Sequence, residues 1–146
     1  MLRITKQTDY AIVLLTHFAV DKARSVHNAR DLAQAVNLPL PTTSKILKAL
    51  ARADLLNSHR GVKGGYRLAR DPKDISVHEV IRALEGPIAI TECLDASADC
   101  GIEPTCPVRA NWHRINGAVQ DALAAIPLSD MAAAYSFPSA GTAEVS

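Results

Sequence analysis

The sequence is poor in aromatic residues and has few cysteines. Aromatic side chains make up 4% of the 146 residues, and the apolar volume comes mainly from Ala, Leu, Val and Ile, which favours a helical protein. Three cysteines are an odd number, which argues against a disulfide-stapled secreted domain. No apolar run reaches the roughly 18 residues that a membrane span needs, and the opening residues lack the pattern of a secretory signal. We therefore expect a cytoplasmic protein with no membrane contact.

A strong overall charge is also absent, because the formal net charge is only +1. The charge is nevertheless unevenly distributed along the chain. Residues 1–82 contain 14 Lys and Arg against 7 Asp and Glu, whereas residues 83–146 contain 2 against 8. Residues 45–70 contain seven basic residues and only one acidic residue, Asp54. This asymmetry suggests a polyanionic partner for the first half, although a solvated basic surface would give the same counts.

The first half of the chain has the pattern of three helices. Residues 6–20 are apolar almost all round, which predicts a largely buried helix. Asn28 is a suitable N-cap for a second helix that stops at residues 37–39. Pro41 suits the first turn of a third helix, which we expect to end near residues 55–57. The third helix places three apolar residues on one face, namely Ile46, Leu47 and Leu50.

A β-hairpin is predicted next, over residues 58–69, because apolar and polar residues alternate around a glycine-rich turn. The positive φ angles of this turn are expected from Gly61, Gly64 and Gly65. After the hairpin, Ser76 and Glu79 have the spacing of a capping box, which predicts the start of a short helix.

The most regular amphipathic pattern of the chain lies in its second half and ends before Pro127. We call it the apolar stripe, and its members are Val108, Trp112, Ile115, Val119, Leu123 and Ile126. Some burial of this helix is expected, either against the same chain or against a second one.

Two helices separated by a short turn and followed by a basic, glycine-rich hairpin are the layout of a winged helix-turn-helix. The second of the two helices can enter the DNA major groove, and the hairpin can reach phosphates or the adjacent minor groove. The candidate DNA-binding residues on the helix are Thr42, Thr43, Ser44, Lys45 and Lys48. Those on the hairpin are Arg60, Lys63 and Arg67. The alternative is a small helical bundle with a hairpin that has no role in binding.

The three cysteines, Cys93, Cys100 and Cys106, lie in a segment without helical period, residues 88–107. Thiolates are soft ligands that select iron–sulfur clusters, Cu(I) or zinc. The paired C-x2-C spacing of a structural zinc site is missing. A cysteine nucleophile, Cys106 assisted by His113, is a rival interpretation. The chain has no phosphate loop, oxyanion motif or cofactor fingerprint, so we predict that it is not an enzyme.

Four segments together identify a resemblance to a known family. They are the opening residues 1–11, the hairpin residues 60–68, the helix over residues 77–81 and the cysteine triplet. With these segments the chain resembles the Rrf2 family of bacterial transcriptional regulators from residue 1 to about residue 133. The opening residues look most like the branch that regulates SUF iron–sulfur cluster assembly, to which the IscR and NsrR branches are related.

The resemblance implies a mainly α fold, in which a winged helix-turn-helix carries a small β-hairpin wing and a long C-terminal helix mediates dimerisation. The expected division is a DNA-binding domain over residues 1–85, a cysteine-bearing cluster loop over 86–107, a dimerisation helix and C-terminal segment over 108–135, and a flexible tail over 136–146. The implied partners are a double-stranded DNA operator and a second copy of the chain, with no small-molecule substrate.

The function that the resemblance implies is that of an iron–sulfur-cluster-dependent repressor of cluster-assembly genes. A repressor of the same family that senses nitric oxide or redox state is one alternative. A cluster-free regulator that acts through a protein partner is a more remote one.

The cluster ligands that the resemblance implies are Cys93, Cys100 and Cys106, with [2Fe–2S] favoured over [4Fe–4S]. Asp9 of the other subunit matches the fourth ligand of the NsrR-like arrangement. Arg109 occupies the place where the IscR-like arrangement has a histidine ligand. His113 and a non-protein ligand are therefore alternatives to Asp9 as the fourth ligand. Ser44 stands where the IscR branch has a glutamate used in base selection. The resemblance therefore does not imply which operator sequence this chain binds.

Overall fold

The computed structural model describes residues 3–21, 26–88 and 108–133. The helices in these ranges are α1 (Lys6–Val20), α2 (Ala29–Val36), α3 (Leu40–Arg52), α4 (Val77–Glu85), α5 (Arg109–Ala124) and α6 (Leu128–Ala133). A two-stranded antiparallel sheet, β1 (Leu56–His59) and β2 (Gly65–Leu68), lies between α3 and α4, followed by a 3-10 turn over Pro72–Asp74. The mainly α fold with a small hairpin is thus confirmed. The three cysteines and the predicted tail over residues 136–146 lie outside the described residues.

Helix α1 forms the centre of the fold, as its nearly uniform apolar character predicts. The Thr5 side chain caps it by accepting a hydrogen bond from the backbone N–H of Thr8 at 3.3 Å. Ala11, Leu14 and Leu15 are fully buried, and α1 is contacted by α2, α3, α4, α6 and β2. A helix surrounded on most sides needs apolar residues on most faces, which explains the sequence pattern.

The helix-turn-helix begins as predicted, with the Asn28 side chain accepting from the backbone N–H of Asp31 at 2.8 Å. Helix α2 ends at Asn37, which adopts the left-handed conformation with φ of 56°. Asparagine tolerates this conformation better than most residues, and the chain turns at once into α3. The apolar face of α3 is buried in the core and consists of Ile46, Leu47 and Leu50.

The end of α3 was predicted too late. The helix ends at Arg52 rather than near residues 55–57. Asp54 takes the left-handed conformation with φ of 61°, which turns the chain away from the helix axis. Leu55 and Leu56 are buried, and Leu56 already belongs to β1. Their apolar character reflects burial at the start of the hairpin and not a continued helix.

The glycines of the hairpin have two different roles. Gly61 and Gly65 have positive φ angles of 115° and 157°, as expected. The prediction was wrong for Gly64, which is not among the described positive-φ glycines; a Cβ atom there would lie 2.3 Å from the carbonyl oxygen of His59. Gly64 therefore allows a close approach between the two sides of the turn.

The predicted capping box is present at the start of α4. The Ser76 hydroxyl accepts from the backbone N–H of Glu79 at 3.2 Å, and the Glu79 carboxylate accepts from the backbone N–H of Ser76 at 2.9 Å. Helix α6 was not predicted. It has only six residues and follows Pro127, yet its Leu128 is fully buried in the same core as α1.

The capping box leads to a prediction about acid stability. Partial burial acts to raise the pKa of Glu79, but its hydrogen bonds to Ser76 and the Arg70 guanidinium outweigh burial and hold this pKa below its ordinary value. The ionised carboxylate therefore stabilises the fold above the ordinary carboxyl pKa, and this stabilisation is lost as the pH falls through the lowered pKa. We expect Glu79→Gln, which preserves the box, to lower the free energy of unfolding at pH 7 by up to about 1 kcal/mol.

Urea unfolding at two pH values checks this expectation. The difference between Glu79→Gln and the parent should vanish at a pH well below the ordinary carboxyl value of about 4.3. Asp121→Asn, at an exposed position on α5, is the control and should change little at either pH. An equal loss of stability at both pH values would contradict the assigned role of the ionised carboxylate.

Candidate nucleic-acid interface

Helix α3 presents a basic face on the side opposite its buried leucines. Lys45, Lys48 and Arg52 are exposed, whereas Ile46 and Leu47 are fully buried. This division follows from the helical period, because the basic residues fall between the apolar ones. The exposed face has the width and charge that a major groove accepts.

The three hydroxyl residues at the start of α3 do not share one environment. Thr42 and Ser44 are half-buried. Thr43 is fully buried, and its hydroxyl donates a hydrogen bond to the carbonyl oxygen of Pro39 at 3.0 Å. The expectation that Thr43 contacts DNA does not fit this placement, because its polar group is already satisfied inside the fold. Thr43 instead fixes the first turn of α3 against the core.

The hairpin carries the second group of predicted residues. Arg60, Lys63 and Arg67 are all exposed, the first two in the tip and the third on β2. The tip also presents Val62, whose side chain is fully exposed and which sequence reasoning did not single out. An apolar side chain between two cations in a glycine-rich turn is the signal that could have identified it, because apolar wedges can contact a minor groove.

The basic side chains of α3 and the hairpin are available to an outside anion. Within the described ranges, no carboxylate lies within ion-pair distance of Lys45, Lys48, Arg60, Lys63 or Arg67. Arg70, beyond the hairpin, differs from them because its guanidinium pairs with the Glu79 carboxylate at 2.8 Å. Unneutralised cations on one surface are the electrostatic pattern of phosphate binding.

The hairpin is attached to the helix-turn-helix by backbone hydrogen bonds. The N–H of His27 donates to the carbonyl of Tyr66 at 2.8 Å, and the N–H of Tyr66 donates to the carbonyl of His27 at 2.7 Å. A Cβ atom on the neighbouring Gly65 would lie 2.3 Å from the His27 carbonyl oxygen, so only glycine permits this approach. The start of α2 and the wing are therefore held in one arrangement, together with α3, which packs on both α2 and β1.

The residues predicted to bind a cluster are only partly described. Asp9 is exposed in the first turn of α1, and His113 is exposed on α5. The neighbour of Asp9, Thr8, is buried, and its hydroxyl donates to the Glu85 carboxylate at 2.8 Å. Glu85 ends α4, so this bond joins the start of α1 to the segment that leads toward the cysteines.

Helix α5 has an unusual distribution of polar and apolar residues. The side chains of Asn116 and Gln120 donate to the backbone carbonyl of Ile88 at 2.9 and 3.2 Å, so polar residues attach α5 to the rest of the chain. Four of the six residues of the apolar stripe are exposed, among them Trp112 at 37% and Ile115 at 45%, whereas Val119 and Leu123 are half-buried. The described part of this chain does not supply the burial that the stripe predicts.

No helix in the described ranges is both long and apolar enough to cross a membrane.

The family model Rrf2, described as "Iron-dependent Transcriptional regulator", matches residues 4–134. The NsrR transcriptional regulator of Bacillus subtilis is 30% identical over 126 residues, which are 86% of this chain and 84% of that protein.

Solved structures agree with the sequence matches. CymR, the global cysteine regulator of B. subtilis, superposes with a TM-score of 0.72 at 29% identity, covering 93% of this chain and 100% of that one. IscR of T. potens superposes with a TM-score of 0.64 at 26% identity, covering 89% and 85% of the two chains. These proteins are regulators and not enzymes, which confirms that prediction. The fold, the basic surface and the family match agree, and the chain belongs to the Rrf2 family of DNA-binding transcriptional regulators.

Proposed function

We propose that this protein is a homodimeric, iron–sulfur-cluster-dependent repressor of cluster-assembly genes, in which the state of the cluster modulates operator binding. The observation that carries the proposal is the combination of an unpaired basic surface on α3 and the hairpin with three cysteines in the segment that follows α4. The proposal includes a DNA-binding domain over residues 1–85, a cluster loop over 86–107, a dimerisation helix and C-terminal segment over 108–135, and a flexible tail over 136–146.

DNA recognition is assigned to two elements that the fold holds together. The start of α3 enters the major groove, where Thr42, Ser44 and Lys45 approach base edges and Lys48 approaches phosphate. The hairpin tip and Arg67 contact phosphates or the adjacent minor groove. Because the His27–Tyr66 bridge fixes the hairpin against α2, both contacts are made with little ordering cost.

Dimerisation is assigned to the exposed apolar stripe of α5. A contiguous apolar surface on a helix that is otherwise attached through Asn116 and Gln120 favours burial against a second copy. A two-fold dimer presents two recognition helices at a fixed separation, which is what a symmetric operator requires.

Cluster binding is assigned to Cys93, Cys100 and Cys106 with Asp9 of the partner subunit. The chemistry of this donor set fits a cluster, because thiolates are its usual ligands and the Asp9 carboxylate is exposed to solvent. We favour [2Fe–2S] over [4Fe–4S]. A bound cluster would supply redox chemistry and reactivity toward nitric oxide. His113, which is also exposed, is the competing protein ligand.

The bond between Thr8 and Glu85 provides a route from the cluster loop to the DNA-binding domain. Thr8 precedes Asp9 in the first turn of α1, and Glu85 is the last residue of α4. A displacement of Asp9 would move its neighbour Thr8 and, through the hydrogen bond to Glu85, the end of α4. It would also move α1, the central helix of the fold. A small rotation of either domain of a dimer lowers the affinity for a two-site operator.

The wing residue Lys63 permits a specific prediction. Lys63→Ala should weaken DNA binding to a similar degree for different sequences and reduce the slope of log affinity against log salt by about 1. Lys73→Ala is the matched control, because Lys73 is exposed on the 3-10 turn that packs against α6. Fluorescence anisotropy at several salt concentrations measures both quantities. An unchanged salt slope for Lys63→Ala would exclude this residue as a phosphate contact.

The cluster assignment is tested by anaerobic purification, a visible absorption spectrum and assays of iron and sulfide. We expect charge-transfer bands with stoichiometric iron and sulfide, and their loss when Cys93, Cys100 and Cys106 are all changed to serine. Asp9→Asn should alter the spectrum, whereas His113→Gln should not. A colourless, iron-free protein that also resists reconstitution would contradict the proposal and leave a winged-helix DNA binder.

A further inference from the structure

A cluster of three potential metal ligands lies away from the cysteines. The ligand atoms of His17, Asp21 and His27 all lie within 4.8 Å of one another. His17 and Asp21 are four residues apart at the end of α1, a spacing that places both on one face of the helix. His27 comes from the segment before α2, so the cluster depends on the tertiary fold.

The distances within this cluster are too long for hydrogen bonds. His17 Nε2 and His27 Nδ1 each lie 4.0 Å from Asp21 Oδ2, beyond the usual limit for a hydrogen bond. Ligands bound at 2.0–2.1 Å to a tetrahedral zinc ion lie about 3.3 Å apart. Each histidine–Asp21 distance would therefore need to close by about 0.7 Å, and the distance between the two imidazole nitrogens by at most about 1.5 Å, for the three groups to share one ion.

The environment of His27 points in the same direction. This side chain is only 3% exposed, and its ring packs edge-on against Phe18 with centroids 4.9 Å apart. Its Nδ1 atom is the ring nitrogen that faces the Asp21 carboxylate, so the buried ring presents a possible ligand atom to the cluster.

The residue types in the cluster suit a cation. A neutral imidazole is the form that binds metals. Two imidazoles and one carboxylate are ligands for divalent ions such as Zn²⁺ or Fe²⁺, whereas Cu(I) and iron–sulfur clusters select thiolates.

We propose that His17, Asp21 and His27 form a binding site for a divalent first-row transition-metal ion, separate from the cysteine ligands, with water completing the coordination. The backbone of His27 is paired with Tyr66 of β2. An ion at this site links the end of α1 to the attachment point of the wing and stabilises the DNA-binding domain. The site is distinct from the dimer helix and from the recognition face of α3.

Zinc titration of the full-length chain tests this site. The parent protein for the titration carries Cys93→Ser, Cys100→Ser and Cys106→Ser, so that thiolates do not compete, and Zn²⁺ is titrated against a chromophoric chelator. We expect one zinc ion per chain and an affinity at least tenfold weaker after Asp21→Asn or His17→Gln. Asp21 is about one-third exposed, so Asp21→Asn is expected to fold, which circular dichroism verifies. His59→Gln, at an exposed histidine of β1, should bind zinc as tightly as the parent.

Two further measurements separate the outcomes. Zinc should raise the melting temperature of the parent and of His59→Gln but not that of Asp21→Asn. Anaerobic titration with Fe²⁺ then shows which of the two ions binds more tightly. The proposal would be overturned if neither Zn²⁺ nor Fe²⁺ bound stoichiometrically, or if the parent and Asp21→Asn bound the ion with equal affinity.

Discussion

Replacing Trp112 and Ile115 with aspartate is expected to convert the protein to a monomer and to lower operator affinity by roughly 10²–10⁴-fold. Both side chains are exposed in the isolated chain and lie on the apolar stripe of α5. Two charges in a dimer seam would be buried without partners, which is strongly unfavourable. A monomer binds only one half-site and loses the gain in affinity that comes from binding two together.

Sedimentation velocity and fluorescence anisotropy with an operator selected from random duplexes measure these two effects. The matched control introduces the same charges at Ala110 and Ala124, which are exposed on the side of α5 away from the stripe. This control should remain dimeric and should bind DNA like the parent. A dimeric Trp112→Asp, Ile115→Asp variant would show that another surface mediates self-association.

Gly65→Ala is expected to lower the free energy of unfolding by about 2–3 kcal/mol. The residue has a φ of 157°, and a Cβ atom there would lie 2.3 Å from the backbone oxygen of His27. Relief of this clash requires the hairpin to move away from the segment before α2, which breaks the paired hydrogen bonds between His27 and Tyr66. Because the wing would then no longer be fixed beside α3, DNA affinity should fall as well.

Two other glycines serve as controls for Gly65→Ala in urea unfolding. At Gly117, within α5, a Cβ atom would meet nothing within 4 Å, so Gly117→Ala should stabilise the chain by up to about 1 kcal/mol. At Gly61 there is also open space but a φ of 115°, so alanine introduces backbone strain without a clash. A loss at Gly61 as large as that at Gly65 would show that strain, and not the contact with His27, decides the effect.

The elements that the sequence predicts correctly are those determined by local patterns. The bounds of α1 follow from a run of apolar residues, the start of α2 follows from the Asn28 cap, and the start of α4 follows from the Ser76 capping box. Each of these signals lies within a few neighbouring residues. The hairpin is likewise predicted, because its glycines and strand alternation are local.

The features that the sequence did not predict depend on tertiary contacts. Helix α6 is too short to show a period, and only burial of Leu128 against the core stabilises it. Thr43 is buried where α3 packs on the core, and its hydroxyl donates a hydrogen bond to the Pro39 carbonyl; its residue type does not reveal this burial. His27 lies beside His17 and Asp21 in a segment whose backbone pairs with the distant Tyr66, a contact that the sequence pattern does not show.

The candidate DNA interface was largely predictable, because the excess of basic residues over 45–70 is visible in the sequence. Most of these residues are exposed on α3 and the hairpin. The surface proposed for dimerisation was predictable as an apolar stripe, but the sequence alone did not show whether the same chain covers it. Its exposure in the structure favours a second copy. The cysteines lie outside the described residues, so their ligation remains a prediction.

The operator affinity of one anaerobic preparation, measured before and after removal of the cluster, tests the central claim most directly. We predict that the affinity changes by at least about tenfold, within the usual range of coupling between two sites. The same treatment should have no effect on a variant in which Cys93, Cys100 and Cys106 are serines. Equal affinity of the cluster-loaded and cluster-free dimer would contradict the claim that the cluster controls DNA binding.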